Sequence, residues 1–254
     1  MPVRSLSRKA AKCVRETDAV EYQRQFALFV ASTDEKPKQI ETLRKIVAGL
    51  KRRRSFLDVG AGSGEITAAV SESFAETTVV EPNPGLVRRL STLYPNFRIF
   101  PEPWGKADLG RDRFDFILCS HVLGYLPERQ WLGAVERMVG CLRPGGKLAV
   151  VLHSPEGGVA GMFRKMTGAT VNSVKLWSDL VRTYGDERVR PHYGFSAIHT
   201  ETLEDMTAIG LFLLSDPRYL GRKRELRRYL EKRHKETDGY FLEQEYMTLE
   251  VTQS

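Results

Sequence analysis

The sequence predicts an α/β fold built around a mostly parallel sheet. Between residues 55 and 152, short apolar runs alternate with helical segments, as expected for consecutive βαβ units. The first apolar run leads into the glycine-rich stretch GAGSG at residues 60–64. A glycine-rich turn between a strand and a helix lies at the carboxyl end of the sheet, where such folds bind ligands. We therefore expect a ligand site at this edge.

The residues before the sheet, 1–54, are predicted to form a helical cover. Tyr22, Phe26 and Phe29 recur at helical spacing and share one face, which either closes over a ligand or packs on the core. Ser32 and Glu35 have the spacing of a capping box that begins a second helix. The buried stripe of that helix is predicted to consist of Ile40, Leu43, Ile46, Val47 and Leu50.

The remaining elements follow from periodicity and turn residues. In the alternating segment we predict strands at 56–60, 77–81, 97–100, 114–119 and 147–152, and helices at 64–74, 84–93 and 128–142. Beyond it we predict a loop at 154–161, helices at 163–166 and 174–184, and a helix with capping chemistry at Thr200 that closes on Gly210. Strands are predicted at 211–214 and 245–251. We interpret residues 1–254 as one domain, with a core at 55–152 and a substrate-side insertion and C-terminal strands at 153–254.

The net charge of +7 is concentrated in one segment. Between Arg218 and Lys235, nine Lys and Arg residues stand against two Glu residues, which gives 9 − 2 = +7. Apolar residues recur there at helical spacing, namely Leu220, Leu226, Tyr229 and Leu230, so we predict an amphipathic surface helix with a solvated basic face. A patch for an acidic substrate or nucleic acid is the alternative.

Composition also limits the compartment and the class of site. Cys13, Cys119 and Cys141 follow no paired spacing, so we expect neither a disulfide framework nor a metal site, and we predict a cytoplasmic protein. No apolar run reaches the ~18 residues of a membrane helix. The basic residues 1–12 lack the apolar core of a secretory signal and are interpreted as a frayed tail, with an organellar presequence as the alternative.

The glycine-rich stretch distinguishes three ligand classes. A phosphate-binding P-loop requires Lys after its last glycine, and a dinucleotide loop prefers glycine where Glu65 stands. Asp58 just before the loop offers a carboxylate to a cation, and Glu81 at the end of the next strand can accept hydrogen bonds from ribose hydroxyls. S-adenosylmethionine (SAM) has the matching ribose, sulfonium and α-ammonium groups.

With these motifs the chain resembles the class I SAM-dependent methyltransferases. The similarity lies in LDVGAGSGE, VVEP, FDFILCSHVLGYLP and LRPGGKLAV, and covers residues 55–152. It implies a Rossmann-like sheet of seven strands with an antiparallel last strand, SAM as the methyl donor and S-adenosylhomocysteine (SAH) as the product. It also implies the following cofactor-binding residues: Asp58, Gly60, Ala61, Gly62, Gly64, Glu81, Pro82, Ser120 and His121. For the adenine, Glu102 is a candidate for the amino group, and Trp104 either stacks on the ring or belongs to the core.

The methyl acceptor is expected at the loop after the fourth strand, where His121 can position the acceptor or take its proton. His153, after the fifth strand, is a second candidate. Outside the core, YQRQFALFVASTDE, HVLGYL, EGGVAGMFRKM and DGYFLEQEYMTLEV resemble the histamine N-methyltransferase-like small-molecule enzymes. That resemblance implies an aromatic pocket over a small amine, with His121 and Tyr22 as catalytic candidates. The substrate-binding candidates are Tyr22, Phe26, Phe29, Glu35, His121, Tyr125, His153, Phe163 and either Glu243 or Gln244.

These observations predict an enzyme that methylates a nitrogen of a small molecule, an amine or N-heterocycle, in specialised metabolism. An O- or carboxyl-methyltransferase of a small natural product is the first alternative. An RNA methyltransferase and a non-catalytic SAM-binding protein follow. We expect no metal, no membrane association and no nucleic-acid partner, and we favour a monomer.

Overall fold

The computed structural model describes residues 20–111, 113–214 and 221–254, with side chains from residue 24 onward. The α-helices are α1 (Val20–Ser32), α2 (Glu35–Ala48), α3 (Glu65–Ser71), α4 (Pro84–Leu93), α5 (Trp131–Gly140), α6 (Gly157–Thr167), α7 (Ser173–Tyr184), α8 (Leu203–Leu214) and α9 (Lys223–His234). The strands are β1 (Ser55–Val59), β2 (Glu76–Val80), β3 (Arg98–Phe100), β4 (Phe114–Ser120), β5 (Leu142–His153), β6 (Val189–Thr200), β7 (Lys235–Glu236) and β8 (Gly239–Thr252).

The strands form one sheet in the order β3-β2-β1-β4-β5-β8-β6, with the short β7 paired to β8. The pairs β1–β2, β1–β4, β2–β3 and β4–β5 are parallel, whereas β8 runs antiparallel to β5 and β6. The predicted Rossmann-like sheet with an antiparallel last strand is therefore confirmed. The carboxyl ends of β1, β2 and β4 meet at one edge, which brings the glycine-rich stretch close to the loop after β4.

Helices cover both faces of the central strands. All five residues of β1 are buried, as expected for a strand packed on two sides. On one face Leu57 packs with residues of α5 and α7. On the other face Phe56 packs with Leu43 and Val47 of α2. The predicted stripe of α2 is confirmed for Leu43, Ile46 and Val47, which are buried, while Ile40 is half-buried. Leu50 is buried too, but it lies just past the end of the helix.

The capping box predicted at the start of α2 is wrong. The N-cap residue is Asp34, and the Glu35 N–H donates a hydrogen bond to the hydroxyl oxygen of Thr33 at 3.2 Å. Glu35 is buried, and its side chain turns into the protein instead of back to the helix end. The position of Glu35 fits the local capping pattern, but its side chain makes a tertiary contact instead.

Two glycine-based predictions are also wrong, for one physical reason. Gly157 and Gly158, predicted as part of a loop, begin α6, and a Cβ on Gly158 would lie 3.1 Å from the Glu243 carbonyl oxygen of β8. Gly210, predicted as a helix end, lies inside α8, and a Cβ there would lie 3.1 Å from Leu226 of α9. Residues 211–214 are helical, and the helix is capped by Thr202, whose hydroxyl accepts from the Asp205 N–H, not by Thr200. These glycines allow close packing of helices.

Strand β6 was not predicted, because Pro191 and Gly194 interrupt its pattern. It lies at the edge of the sheet, where a proline costs no ladder hydrogen bond. Gly194 is required because a Cβ there would lie 2.1 Å from the Tyr246 ring.

The basic segment forms α9, as predicted for its described part, and Leu226 and Leu230 are buried on one face. Two of its cations, Lys223 and Arg227, pair with Glu204 of α8. Arg218 and Leu220 lie outside the described residues. Across the described ranges no helix is both long and apolar enough to cross a membrane. Among the described residues, neither Cys119 nor Cys141 forms a disulfide, and Cys13 lies outside the described residues.

Candidate active site

The glycine-rich stretch follows β1 and turns the chain into α3. Gly60, Gly62 and Gly64 all have positive φ, at 81°, 56° and 84°. A Cβ on Gly60 would lie 2.3 Å from Val122, and one on Gly64 would lie 2.5 Å from Leu90. At Gly62 nothing lies within 4 Å of the added atom. Two of the glycines are therefore required by packing, while Gly62, between half-buried Ala61 and buried Ser63, presents bare backbone to open space.

Asp58 lies beneath this loop with one oxygen unsatisfied. Its Oδ2 accepts a hydrogen bond from the Thr67 hydroxyl at 2.6 Å, and its buried Oδ1 has no partner among the described residues. Burial raises the pKa of Asp58 to about 7, and the charge of Glu81 adds to the rise while the Thr67 bond opposes it. An unpaired buried carboxylate oxygen is a binding position for a cation.

Glu81 follows β2 and is held by two backbone amides. The Gly62 N–H donates to its Oε2 at 3.0 Å, and the Asn83 N–H donates to its Oε1 at 2.9 Å. Burial raises the pKa of Glu81, against the effect of these two bonds. The carboxylate is therefore fixed beside the glycine loop, with Pro82 half-buried next to it. Each oxygen retains a further lone pair for a hydroxyl donor.

The two adenine candidates differ in environment. Glu102 is exposed just past the end of β3. Trp104 is buried, its Nε1 donates to the Ala134 carbonyl at 3.3 Å, and the guanidinium of Arg137 lies 4.5 Å from its ring centroid. This packing favours the core alternative for Trp104 over stacking on a ligand.

The loop after β4 places His121 in an unusual backbone conformation. Its φ is 56°, a left-handed value, and among the described residues it is the single non-glycine residue with positive φ. Its N–H donates to the Val151 carbonyl at 2.9 Å. Its Nε2 lies 2.6 Å from Glu35 Oε1 and 3.0 Å from Gln39 Nε2. Glu35 and Gln39 are one helical turn apart, so α2 meets His121 with one polar face.

Further polar groups surround this contact. The Gln39 amide donates to Glu35 Oε1 at 2.6 Å, and the Ser120 hydroxyl donates to Gln39 Oε1 at 3.1 Å. Burial alone would raise the pKa of Glu35, but the charge and hydrogen bond of His121, with smaller contributions from His153 and Gln244, lower it to about 2. The Glu35 carboxylate is therefore ionised at neutral pH.

His153, at the end of β5, lies against His121 with ring centroids 4.6 Å apart. Burial lowers the pKa of His153 to about 3, the charge of His121 contributes, and the charge of Glu35 opposes it. His153 is therefore neutral at pH 7, and its buried Nδ1 has no partner among the described residues. Phe163 of α6 follows, with its ring 6.1 Å from that of His153.

On β8 the alternation of side chains separates the two predicted candidates. Gln244 is fully buried and faces Glu35, yet neither of its amide atoms has a hydrogen-bond partner within 3.5 Å in the described structure. Glu243 is exposed on the opposite face, so it does not join this cluster. Tyr246, two residues further on the inner face, is buried, and burial together with the charge of Glu35 raises its pKa to about 12.

The aromatic face of α1 packs mainly against helix α8. The rings of Phe26 and Phe29 lie 5.7 Å and 5.4 Å from that of Phe212. Phe29 is buried, whereas Phe26 is half-buried with Lys36 Nζ 5.5 Å from its ring centroid. The core alternative thus describes Phe29. The Tyr22 side chain lies outside the described residues, and Tyr125 is half-buried in the 3-10 turn Leu123–Tyr125.

Sequence reasoning missed three contributors. Gln39 was recoverable, because it follows Glu35 by one helical turn. Lys36 joins α2 to the glycine loop through a hydrogen bond to Ser63 Oγ at 3.0 Å and an ion pair with Glu65. Neither that contact nor the position of Tyr246 has a local signal. In the described part of the chain no cluster of three or more His, Cys, Asp or Glu is arranged to hold a metal.

Comparison with known proteins assigns the family. A family model described as a methyltransferase domain matches residues 29–190, well over half of the chain. The chain belongs to this methyltransferase family. It is a SAM-dependent methyltransferase, with SAM as its cofactor.

Individual relatives are distant. Nodulation protein S of Azorhizobium caulinodans is 25% identical over 145 residues, which cover 55% of this chain and 68% of that protein. An uncharacterized methyltransferase of Mycobacterium leprae is 27% identical over 175 residues, and the match spans 65% of this chain but only 62% of the relative. A solved methyltransferase structure from Bacillus halodurans matches with a TM-score of 0.61 at 14% identity, covering 84% of this chain and 97% of that one. At this identity the structural likeness shows the fold alone.

The residues present fit SAM. The unpaired Asp58 Oδ1 can accept a hydrogen bond from an ammonium group, and the open backbone at Gly62 leaves room for the methionine portion. Glu81, fixed between two amides, can accept from ribose hydroxyls. The site is therefore lined by carboxyl groups that accept hydrogen bonds, and it suits a cationic nucleoside.

Proposed function

We propose that this enzyme transfers a methyl group from SAM to a nitrogen of a small molecule, an amine or N-heterocycle. The observation that carries the proposal is the buried, ionised Glu35 carboxylate held 2.6 Å from His121. A cationic or neutral nitrogen is favoured beside this negative charge, whereas a phenolate or carboxylate acceptor would be repelled. In this proposal the charge of the site favours nitrogen acceptors over anionic acceptors at the binding step.

In this proposal different residues bind different parts of SAM. Asp58 holds the ammonium group, Glu81 holds the ribose, and Glu102 is the candidate for the adenine amino group. When bound, SAM supplies an already activated methyl group on its sulfonium. The protein then needs to align the acceptor nitrogen in line with that methyl group and to exclude water.

His121, Tyr125 and Phe163 form the proposed acceptor side, with the unpartnered groups of His153 and Gln244 as recognition points for polar atoms of the substrate. The layout of the histamine N-methyltransferase-like enzymes stays a proposal for these residues. Since Phe29 packs against α8, the part of α1 left for a lid is the half-buried Phe26 and the region around Tyr22.

The test is turnover by the purified protein with SAM and a panel of alkylamines, N-heterocycles, phenols and carboxylic acids. SAH formation is measured together with mass spectrometry of the methylated product. We expect methylation of nitrogen acceptors. Turnover confined to phenols or acids would establish the O- or carboxyl-methyltransferase alternative, and tight SAM binding without turnover of any acceptor would favour a non-catalytic SAM-binding protein.

A matched variant separates cofactor binding from acceptor chemistry. Replacing His121 with Ala is expected to leave the Kd for SAM within a few-fold of wild type, while turnover falls by about 10²–10⁴-fold. Unchanged turnover in this variant would remove His121 from the acceptor site.

A further inference from the structure

The Glu35–His121 contact joins a buried anion to a ring at the edge of the solvent. The Glu35 side chain is 4% exposed and that of His121 is 27% exposed, and the two atoms in contact are Glu35 Oε1 and His121 Nε2 at 2.6 Å. The carboxylate therefore lies behind the imidazole, on the side away from an entering molecule. Glu35 cannot bind a substrate directly without giving up this contact, although its position in the chain suggested that role.

The distance assigns the tautomer of His121. A carboxylate oxygen and an unprotonated ring nitrogen, each presenting a lone pair, would repel each other at 2.6 Å. The shared proton is therefore assigned to Nε2. In the neutral ring this leaves Nδ1 as the nitrogen with a free lone pair.

Several contacts hold the pair in place. The Gln39 amide donates to the same Glu35 oxygen at 2.6 Å, and Ser120 in turn donates to Gln39 at 3.1 Å. The backbone of His121 is fixed in a left-handed conformation by its N–H bond to Val151. Backbone strain of this kind persists where the surrounding structure over-determines the conformation, and it is common at functional sites.

We propose that Glu35 is a positioning residue that makes His121 Nδ1 the proton acceptor for an alkylamine that enters the site as an ammonium ion. This inference rests on the proposed N-methylation and names its substrate class. Nδ1 takes one proton from the ammonium group, which frees the nitrogen lone pair. The lone pair forms the new nitrogen–carbon bond while the carbon–sulfur bond breaks and leaves its electron pair on sulfur. The positive charge of the ammonium passes to the imidazolium, which Glu35 stabilises, and the sulfonium charge passes to the methylated nitrogen.

The other titratable groups around the pair agree with this assignment. From α2, Lys36 is directed away, toward Ser63 and Glu65. From β5, His153 is buried and neutral at pH 7, so it adds no positive charge against an ammonium ion. From β8, Tyr246 is buried near Glu35 and stays protonated, because its pKa is raised to about 12. Glu35 is thus the fixed charge behind His121, and it stabilises the imidazolium that forms there.

The test compares wild type with Glu35→Gln in the full chain, with the alkylamine most active in the substrate panel, across a range of pH. We expect the variant to bind SAM normally and to lose about 10²-fold or more in kcat near neutral pH. The loss should shrink as the pH approaches the pKa of the amine itself, because the solution then supplies neutral amine. Glu41→Gln, at an exposed position of the same helix, is the matched control and should retain wild-type kcat.

The outcomes separate a positioning role from a structural one. A loss of kcat in Glu35→Gln that is equal at every pH would overturn the proposal, since a general disturbance has no reason to depend on the protonation of the amine. Turnover of N-heterocycles but of no alkylamine would also overturn it and leave N-methylation intact. Failure of all nitrogen acceptors would overturn the proposed function itself.

A measurement on the wild-type protein keeps the proposal testable if Glu35→Gln does not fold. Nitrogen-15 NMR of the imidazole, assigned with His121→Ala, reports which ring nitrogen carries the proton. Protonation at Nε2 in the neutral ring is expected. Protonation at Nδ1 would overturn the assignment of Glu35.

Discussion

At the scale of single residues, Asp58 couples SAM affinity to pH. Its pKa is raised to about 7 by burial, so without a ligand the carboxyl group is partly protonated at neutral pH. An ammonium group needs the ionised form, so the Kd for SAM is expected to fall as the pH rises from about 6 to 8. Titration calorimetry at several pH values measures this slope.

The variant Asp58→Asn provides the comparison. It removes the negative charge and one charge-assisted hydrogen bond, and the loss is expected to be about 1.5–3 kcal/mol, or roughly 10–100-fold in Kd. The part of the pH slope that belongs to Asp58 should disappear with it. An identical slope in the variant would assign the pH dependence to another group.

The lowered pKa of His153 predicts how the free energy of unfolding depends on pH. Its pKa is lowered to about 3 in the folded protein, from an ordinary value of 6.5, mainly by burial. Between these two pH values the unfolded chain binds the proton and the folded protein does not, so the free energy of unfolding falls as the pH drops from 6.5 toward 3. The slope from this residue is at most about 1.4 kcal/mol per pH unit.

Replacement of His153 with Phe should reduce the fall in the free energy of unfolding as the pH decreases. Urea unfolding between about pH 6.5 and 5 measures it, a window that lies above the ordinary pKa of carboxyl groups. A curve parallel to that of wild type across this window would show that His153 is protonated in the folded protein.

Which residues sequence reasoning could identify depended on how local their signals are. Asp58 lies at the end of β1, and Glu81 and His121 directly follow β2 and β4. Since the strand order places such positions at one edge of the sheet, their proximity was predictable. The Glu35–His121 contact joins residues far apart in the chain and has no local pattern. The capping-box pattern at Glu35 was misleading, because the Glu35 side chain is buried and does not cap the helix.

At the scale of elements, close packing explains the errors in the predicted helices, and an edge position explains the missed strand. The alternating strands and helices between residues 55 and 152 were predicted well because each βαβ unit has its own apolar period. Strand β6 was missed because Pro191 is acceptable only at an edge, and the position of a strand in the sheet cannot be inferred from its own residues. Gly158 and Gly210 looked like loop or end signals, whereas each allows a helix to approach its neighbour.

This interpretation of Gly158 predicts opposite effects for two glycine-to-alanine changes. In Gly158→Ala the new Cβ would meet backbone atoms of Glu243 at 3.1 and 3.2 Å, which cannot move aside easily. We expect a loss of about 1–3 kcal/mol in the free energy of unfolding. Gly133→Ala in α5, where nothing lies within 4 Å, should gain up to about 1 kcal/mol from helix propensity. Urea unfolding of both variants tests this, and equal effects would refute the close-packing explanation.

At the scale of the whole molecule, the sign of the net charge does not describe the site. The excess positive charge lies between residues 218 and 235, and in its described part it belongs to an outer face of α9. The buried groups of the site, Asp58, Glu81 and Glu35, are carboxyl groups. A basic protein can therefore have an anionic ligand site, because surface charges are screened by salt within about 10 Å whereas buried charges are not.

The basic face gives the last prediction, which separates a small-molecule enzyme from one that acts on RNA. Lys232 and Arg233 are exposed in the last turn of α9. Reversing both charges, Lys232→Glu with Arg233→Glu, should leave SAM affinity and turnover of a small amine within about two-fold, since exposed charges contribute little to a screened, separate site. Any RNA binding by the wild-type protein should be weak and should fall steeply between about 50 and 200 mM salt, as expected for nonspecific phosphate contacts. If the double variant lost turnover of the amine, or if RNA were methylated at a rate that fell with the same two substitutions, the basic face would belong to the substrate site and the small-molecule assignment would be wrong.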